Sequence, residues 1–320
     1  VAEFELIDRY FRKIAMQRDD VSIGIGDDCA VMEVPAGYQL AMSTDTLVAG
    51  VHFPQLTSPA DIGYKSLAVN LSDLAAMGAT PAWASLSLTL PEEDHAWLER
   101  FSRGFAELLQ RYNMQLVGGD TTRGPLSITV TVCGFLPRDR ALRRDGAKPG
   151  ELVYVTGTIG DAGIGLKKIL ASIDYRGSLQ HCVSRLNRPA PRVELAMALT
   201  AISGCAIDIS DGLLADLGHI VEQSHCAARI EPDKIPLSSE LQQFYGNNID
   251  WQQVLTDGDD YELCFTLAAD RVDELQALAV QTSTRISCIG EITTGSGISC
   301  VFADGSTLPT SQVGYDHFNE

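Results

Sequence analysis

Residues 206–224 read AIDISDGLLADLGHIVEQS, and this stretch decides the fold. Residues 206–209 form a short apolar run of strand character. Ser210-Asp211-Gly212 then makes a turn, and apolar residues at helical spacing continue to about Ser224. A strand that ends on polar residues and feeds a helix is the place where sheet proteins gather their ligands.

Working outward, the same alternation of strand and helix recurs. Residues 4–16 read as an amphipathic helix through Phe4, Ile7, Phe11 and Ile14. Residues 38–48 and 83–90 read as strands. Ser58-Pro59-Ala60-Asp61 is a strong helix start, with Ser as cap, Pro at the first position and Asp three residues on. That helix should stop at Gly78. A further helix is expected over 94–112 and an alternating strand over 126–135. Later come a strand at 152–156, a helix at 161–172, a Pro189/Pro191 break followed by a helix to about 203, and strands at 261–267, 285–292 and 298–303 around a helix at 270–281. The turn-rich stretch 143–150 places a boundary nearby, giving domains 1–140 and 141–320. The expected class is α/β (α+β) with two domains.

The chain has 320 residues, and single cores stop growing at about 250–300, which agrees with two domains. Eight cysteines lie apart, with no CxxC pair, and read as reduced thiols. The six histidines show no zinc spacing. No signal peptide and no membrane-spanning run are legible. The net charge of −18 disfavours nucleic acid and anionic lipid as partners.

The aspartates fall in six segments of one design, in which an apolar element delivers an acid to small residues. They are GIGDD at 24–28, STDT at 43–46, NLSD at 70–73, GGDTT at 118–122, DISDG at 208–212 and DGDDYE at 257–262. Any one alone is ordinary turn or cap chemistry. Asp73, however, lies inside a helix on a polar stripe with Ser66 and Asn70, and its apolar neighbours leave that helix little wetted surface. Gathered carboxylates are stabilised by a cation, and oxygen donors favour Mg²⁺, Mn²⁺ or Ca²⁺. Mg²⁺ binds through few carboxylates together with substrate phosphates. Gly118-Gly119 would let backbone N–H groups approach a phosphate, and Arg123 and Arg144 are candidate clamps. The segment 160–167 nearly forms a P-loop, but Leu166 stands where Lys is required.

With these segments in view the sequence resembles the thiamine-monophosphate kinase family from Phe4 to Phe318. The motifs are GIGDDCA at 24–30, STDTLVAGVHF at 43–53, KSLAVNLSDLAAMGA at 65–79, GGDTTRG at 118–124, DGAKPGE at 145–151, DISDGL at 208–213, DYEL at 260–263 and GYDHF at 314–318. The resemblance implies ATP-dependent phosphorylation of thiamine monophosphate to thiamine diphosphate, in the superfamily of aminoimidazole ribonucleotide synthetase and selenophosphate synthetase. It implies a homodimer whose N-terminal domains build a β-barrel, with ATP near the dimer interface, a C-terminal α/β domain and a cytoplasmic location. Carried over by position, Asp27, Ser43, Thr44, Asp45, Asp73, Asp120, Asp208 and Asp211 are implied metal ligands for several Mg²⁺ ions. Gly119, Asp120, Arg144 and Ser210 are implied nucleotide contacts, and His52, Glu262 and Tyr315 implied contacts to thiamine phosphate. K⁺ is a further candidate cation whose requirement the sequence leaves open. The family usually reads GGEDYEL where this chain has Asp257-Gly258-Asp259-Asp260-Tyr261-Glu262-Leu263. No nucleophile or general base is expected, because the acceptor oxygen is already ionised. The rivals are another enzyme of the superfamily and a non-catalytic metal- or nucleotide-binding regulator.

Overall fold

A computed structural model describes residues 3–14, 16–171 and 179–310. Tyr315 and the GYDHF motif lie outside them. The chain divides into two compact units, Val1–Leu74 with Ala79–Asp139, and Ala75–Gly78 with Arg140–Glu320. The fold is α+β.

The first unit is built on a four-stranded sheet. Its elements are α1 (Glu3–Leu6), β1 (Val21–Ile23), β2 (Val31–Met32), β3 (Tyr38–Val48), α2 (Pro59–Ala76), β4 (Thr80–Leu90), α3 (His95–Arg111), β5 (Gln115–Arg123) and β6 (Ser127–Pro137). The strand order is β3-β6-β4-β5, with only β4 and β5 parallel. β6 alternates as its sequence predicts, burying Ile128, Val130 and Val132. Helix α2 begins on the expected capping box: the Asp61 N–H donates to Ser58 Oγ at 3.2 Å, and Ser58 Oγ donates to the Asp61 carboxylate at 2.8 Å. It ends before Gly78, whose φ of +73° suits glycine. α2 and α3 approach closely through two glycines. A Cβ on Gly63 would sit 2.1 Å from Phe101 O, and one on Gly104 1.9 Å from Ala60 O. On the other sheet face, Val21, Ala30 and Met32 pack on Ala82, Trp83, Val117 and Phe135. Leu40 and Met42 of β3 stay exposed, at 48% and 69%.

The second unit holds β7 (Leu152–Thr156), α4 (Asp161–Leu170), α5 (Leu179–Asn187), α6 (Val193–Leu199), β8 (Cys205–Asp208), α7 (Leu213–Gln223), β9 (Ala227–Ile230), α8 (Ser239–Tyr245), α9 (Trp251–Thr256), β10 (Leu263–Leu267), α10 (Val272–Gln281), β11 (Ile286–Thr293), β12 (Gly297–Val301) and β13 (Thr307–Leu308). The sheet order is β13-β12-β9-β11-β7-β10-β8, and only β12 and β9 pair in parallel. The C-terminal domain is therefore α+β with a largely antiparallel sheet, a correction to the α/β expectation. Connections such as β7 to β10 skip elements, so strand direction was not readable from local pattern.

Two further expectations change. The helix expected over 4–16 is a short α-turn followed by a π-helical turn at Ile7–Arg12. The wider winding lets Leu6, Tyr10 and Phe11 all be buried. STDT lies inside β3, the strand expected over 38–48, but GGDTT is not a turn, for it lies inside β5. Pairing of β5 with β4 overrides the local turn preference of Gly, Asp and Thr. All eight cysteines are free thiols, five of them buried and Cys29 exposed.

Candidate active site

In the first unit the acids fall into two groups at opposite edges of the sheet. At the β3 edge, strand alternation turns Ser43 and Asp45 to one face and Thr44 to the other. The Ser43 hydroxyl donates to the Asp73 carboxylate of α2 at 2.5 Å, and the Asp45 N–H donates to Asn70 Oδ1 at 3.0 Å. Asn70 Nδ2 donates back to Ser66 O at 2.9 Å. Asn70 and Asp73 of the polar stripe thus meet β3, Ser66 Oγ donates to Gly63 O of its own helix at 3.0 Å, and Ser66 and Asn70 are buried. Thr44 is exposed on the other face, where its hydroxyl shares a hydrogen bond with Thr131 at 2.8 Å.

At the β5 edge lies a cavity of about 750 Å³. Asp27, Asp28, Gly118, Gly119 and Asp120 line it, with Arg12 at its wall. Gly119 is obligatory here: its φ is +152°, and a Cβ would lie 1.8 Å from Leu86 O. A backbone bare of side chain faces the cavity beside Asp27, Asp28 and Asp120, which suits a polyphosphate approached through a cation. His52 stands elsewhere. Its Nδ1 accepts from the Val48 N–H at 3.0 Å and so braces the end of β3.

In the second unit the DISDG loop is held from beneath by a residue that sequence reasoning passed over. Asp216, in the first turn of α7, accepts from the N–H groups of Ser210 and Asp211, both at 3.0 Å. It is 2% exposed. Burial pushes its carboxyl up to about 8, and Asp208 and Asp211 add to the rise. The signal available in the sequence was an acid on the apolar stripe of Leu213, Leu217 and Ile220. Asp208, Asp211 and Asp216 thus lie on one strand end, loop and helix start, and the charges of the first two help to drive the third toward neutrality. Among the described residues no three His, Cys, Asp or Glu side chains form a complete metal cage. An ion that keeps waters and takes phosphate oxygens does not need one.

The 257–262 loop clasps DISDG. The Asp259 N–H donates to Ser210 O and the Tyr261 N–H to Ile209 O, each at 2.8 Å. The near-P-loop at 160–167 also finds its explanation here. The Gly160 N–H, at the start of α4, donates to Asp260 Oδ2 at 2.8 Å, so the protein's own carboxyl fills the anion position. Asp260 is wholly enclosed, and burial drives its carboxyl well above the usual range. Asp257, where the family commonly has glycine, packs on Gly163 of α4 with Lys167 at 3.5 Å. Burial raises its carboxyl, and Lys167 partly offsets this. Glu262 is buried completely, with its oxygens taken by Thr156, Arg185 and Arg192. Arg144 is exposed, and its carbonyl accepts from Ser224 Oγ at 2.9 Å.

Residues 26–136 match the model for the N-terminal domain of AIR synthase related proteins, and residues 148–302 that for the C-terminal domain. The thiamine-monophosphate kinase of Escherichia coli K12 is 48% identical over 318 residues, spanning 99% of this chain and 98% of that protein. The chain belongs to the thiamine-monophosphate kinase family. A crystal structure of the thiamine-monophosphate kinase from Stenotrophomonas maltophilia K279a superposes with a TM-score of 0.89 at 46% identity, covering 96% of this chain and 98% of that one. AaThiL complexed with AMPPCP and TMP superposes at 0.80 with 31% identity, covering 99% of this chain and 97% of that one. The kinase family's aspartate segments are all present here, divided between the two units as described.

Proposed function

We propose that the chain phosphorylates thiamine monophosphate to thiamine diphosphate with ATP. The observation that carries this is Gly119 and Asp120 lining one cavity with Asp27, in a chain 31% identical to AaThiL, which has been captured with a nucleotide analogue and TMP. Asp27, Asp45, Asp73, Asp120, Asp208 and Asp211, with Ser43 and the Thr44 backbone, would hold Mg²⁺. Bound there, Mg²⁺ would offset the charge between two anionic reactants. Arg144, Gly119 and Ser210 are assigned to the nucleotide. His52, Glu262 and Tyr315 belong to the acceptor side, His52 and Glu262 by positioning other groups. Transfer is in line from the γ-phosphoryl to the acceptor's phosphate oxygen. No side chain needs to act as nucleophile or base, so the protein's work is orientation and charge placement. Asp216 keeps the DISDG backbone in place for it. K⁺ is proposed as a supporting monovalent cation, which activity in K⁺-free buffer would test.

Purified protein with ATP, Mg²⁺ and thiamine monophosphate should give thiamine diphosphate by chromatography, and thiamine should give none. A site built for a phosphate rejects an acceptor that lacks one. Absence of product with ATP binding intact would sink the reading in favour of another superfamily acceptor.

The domains 1–140 and 141–320 are proposed as the ATP- and metal-binding dimerisation half and the half completing the phosphate site. A homodimer is proposed through the open sheet face of the first unit. Leu40 and Met42 are exposed there, and the outer edges of β3 and β5 carry no further strand among the described residues. Joining two such sheets into a barrel would remove these edges. Met42→Glu should shift the sedimentation profile from dimer to monomer; an unchanged profile would place the interface elsewhere. A cytoplasmic location is proposed from eight free thiols. Among the described residues no helix is long and apolar enough to cross a membrane.

A further inference from the structure

The cavity of about 750 Å³ at the β5 edge is lined by four acids, Asp8, Asp27, Asp28 and Asp120, and among the described residues by a single base, Arg12. A polyphosphate that enters it meets like charge on every carboxylate that no cation screens. A guanidinium is the side-chain group best shaped to take phosphate oxygens directly, through a fork of parallel N–H donors.

The stem of Arg12 is held in place. Arg12 ends the π-helical turn Ile7–Arg12, a winding met often at functional sites. Tyr10 and Phe11 of that turn are buried, and Tyr10 Oη shares a hydrogen bond of 2.8 Å with His95 Nδ1 at the start of α3. The tip of Arg12 lies on the GIGDD loop. A Cβ at Gly26 would sit 2.4 Å from Arg12 Nη2 and 3.3 Å from Nη1, so the guanidinium occupies the position that a side chain at 26 would need. Gly26 has a φ of +122°, a conformation that favours glycine and keeps that position open.

The next residue along the loop is Asp27. Among the described residues neither Asp27 nor Asp28 pairs with the guanidinium, and Asp27 Oδ1 instead accepts the Asp28 N–H at 2.9 Å. The acid that does pair with Arg12 is Asp8, one turn earlier, whose Oδ1 stands 2.7 Å from Nε. This engages the inner nitrogen and leaves the Nη1 and Nη2 fork on the loop. One guanidinium carries five N–H donors, enough to keep Asp8 and take a phosphate together. The two side chains are 53% and 60% exposed, and so wet an i,i+4 pair gives the fold little stability.

We propose that Arg12 is a nucleotide-binding residue, whose Nη1 and Nη2 groups take phosphate oxygens of ATP in the cavity that Gly119 and Asp120 line. This rests on the reading of the chain as an ATP-dependent kinase. It gives the first unit a cation of its own in a cavity whose other charged groups are all acids.

The test is calorimetric titration of ATP and Mg²⁺, without acceptor, into wild type, Arg12→Gln, Arg12→Lys and Asp8→Asn, beside steady-state kinetics and thermal melting. Arg12→Gln should bind ATP about tenfold more weakly, the loss of one charge-assisted contact. KM for ATP should rise with it, while KM for thiamine monophosphate stays within about twofold. Lysine keeps the charge without the fork and should recover part of the loss. Asp8→Asn keeps the guanidinium and should bind ATP at least as tightly as wild type, and all three variants should melt within a few degrees of it. ATP affinity of Arg12→Gln within about twofold of wild type overturns the proposal. An equal loss in Asp8→Asn also overturns it, because the ion pair would then serve only to shape the loop. A rise in the acceptor KM alone would move Arg12 to the other substrate and overturns it too. Wild type that binds ATP but makes no thiamine diphosphate defeats the kinase reading alone, and the titrations still decide Arg12. Wild type that binds no ATP overturns both.

Discussion

Asp211→Ala and Asp120→Ala are each expected to lower kcat by at least about a thousandfold while leaving the fold intact. Neither side chain supports the core. Asp120 is exposed on β5 at the cavity wall, and Asp211 is partly exposed on the DISDG loop, whose backbone is held by Asp216. Removing either carboxylate takes away one negative charge from a group that holds Asp27 and Asp28 beside Asp120, and Asp208 and Asp216 beside Asp211. On the function proposed above, transfer between two anionic reactants would then lose a cation that offsets their charge. The check is single-turnover product formation together with thermal melting. Turnover within tenfold of wild type in either variant would remove that acid from the ligand set. A fall in Tm of more than a few degrees would instead mean that the loop itself had come apart. Mg²⁺ should raise Tm in the wild type and less so in Asp211→Ala, because the ion binds the folded state.

Glu262→Ala has the opposite character, a large effect on stability. The change removes the Glu262 carboxylate from Arg185 and Arg192 and leaves Thr156 Oγ1 without that acceptor. Breaking a buried ion pair from one side costs about 3–5 kcal/mol. The low end, about 3 kcal/mol, applies here, since both arginines keep some exposure and can rehydrate. Urea unfolding should show the midpoint falling with the slope unchanged. A loss under about 1 kcal/mol would show that the triad is loosely held. Glu262→Gln keeps the shape and should fall between the two.

Much of this site was legible because local chemistry announces itself. The Ser58 capping box, the glycine stop at Gly78 and the strand–turn–helix around Asp211 each depend on a few adjacent residues, and the structure forms all three. Asp216 was missed because its task is defined by two N–H groups five and six residues earlier, an arrangement that exists only once the loop has folded back. Glu262 was read from its motif as a substrate contact. Its burial beneath two arginines some 70 residues upstream is a long-range fact that no spacing encodes.

The sequence by itself determined the family, the two-domain mixture of strands and helices and the identity of the acids, because these depend on residue type and order. Only the tertiary structure decided which of those acids can act together. Strand alternation turned Thr44 away from Ser43 and Asp45, and the order β3-β6-β4-β5 sent Asp45 and Asp120 to opposite sheet edges. It also decided that Asp260, not a ligand, fills the start of α4. The physical reason is common to all three. Hydrogen-bond pairing between strands and burial beneath helices are set by partners far away in the chain, and they override what each short segment would do alone.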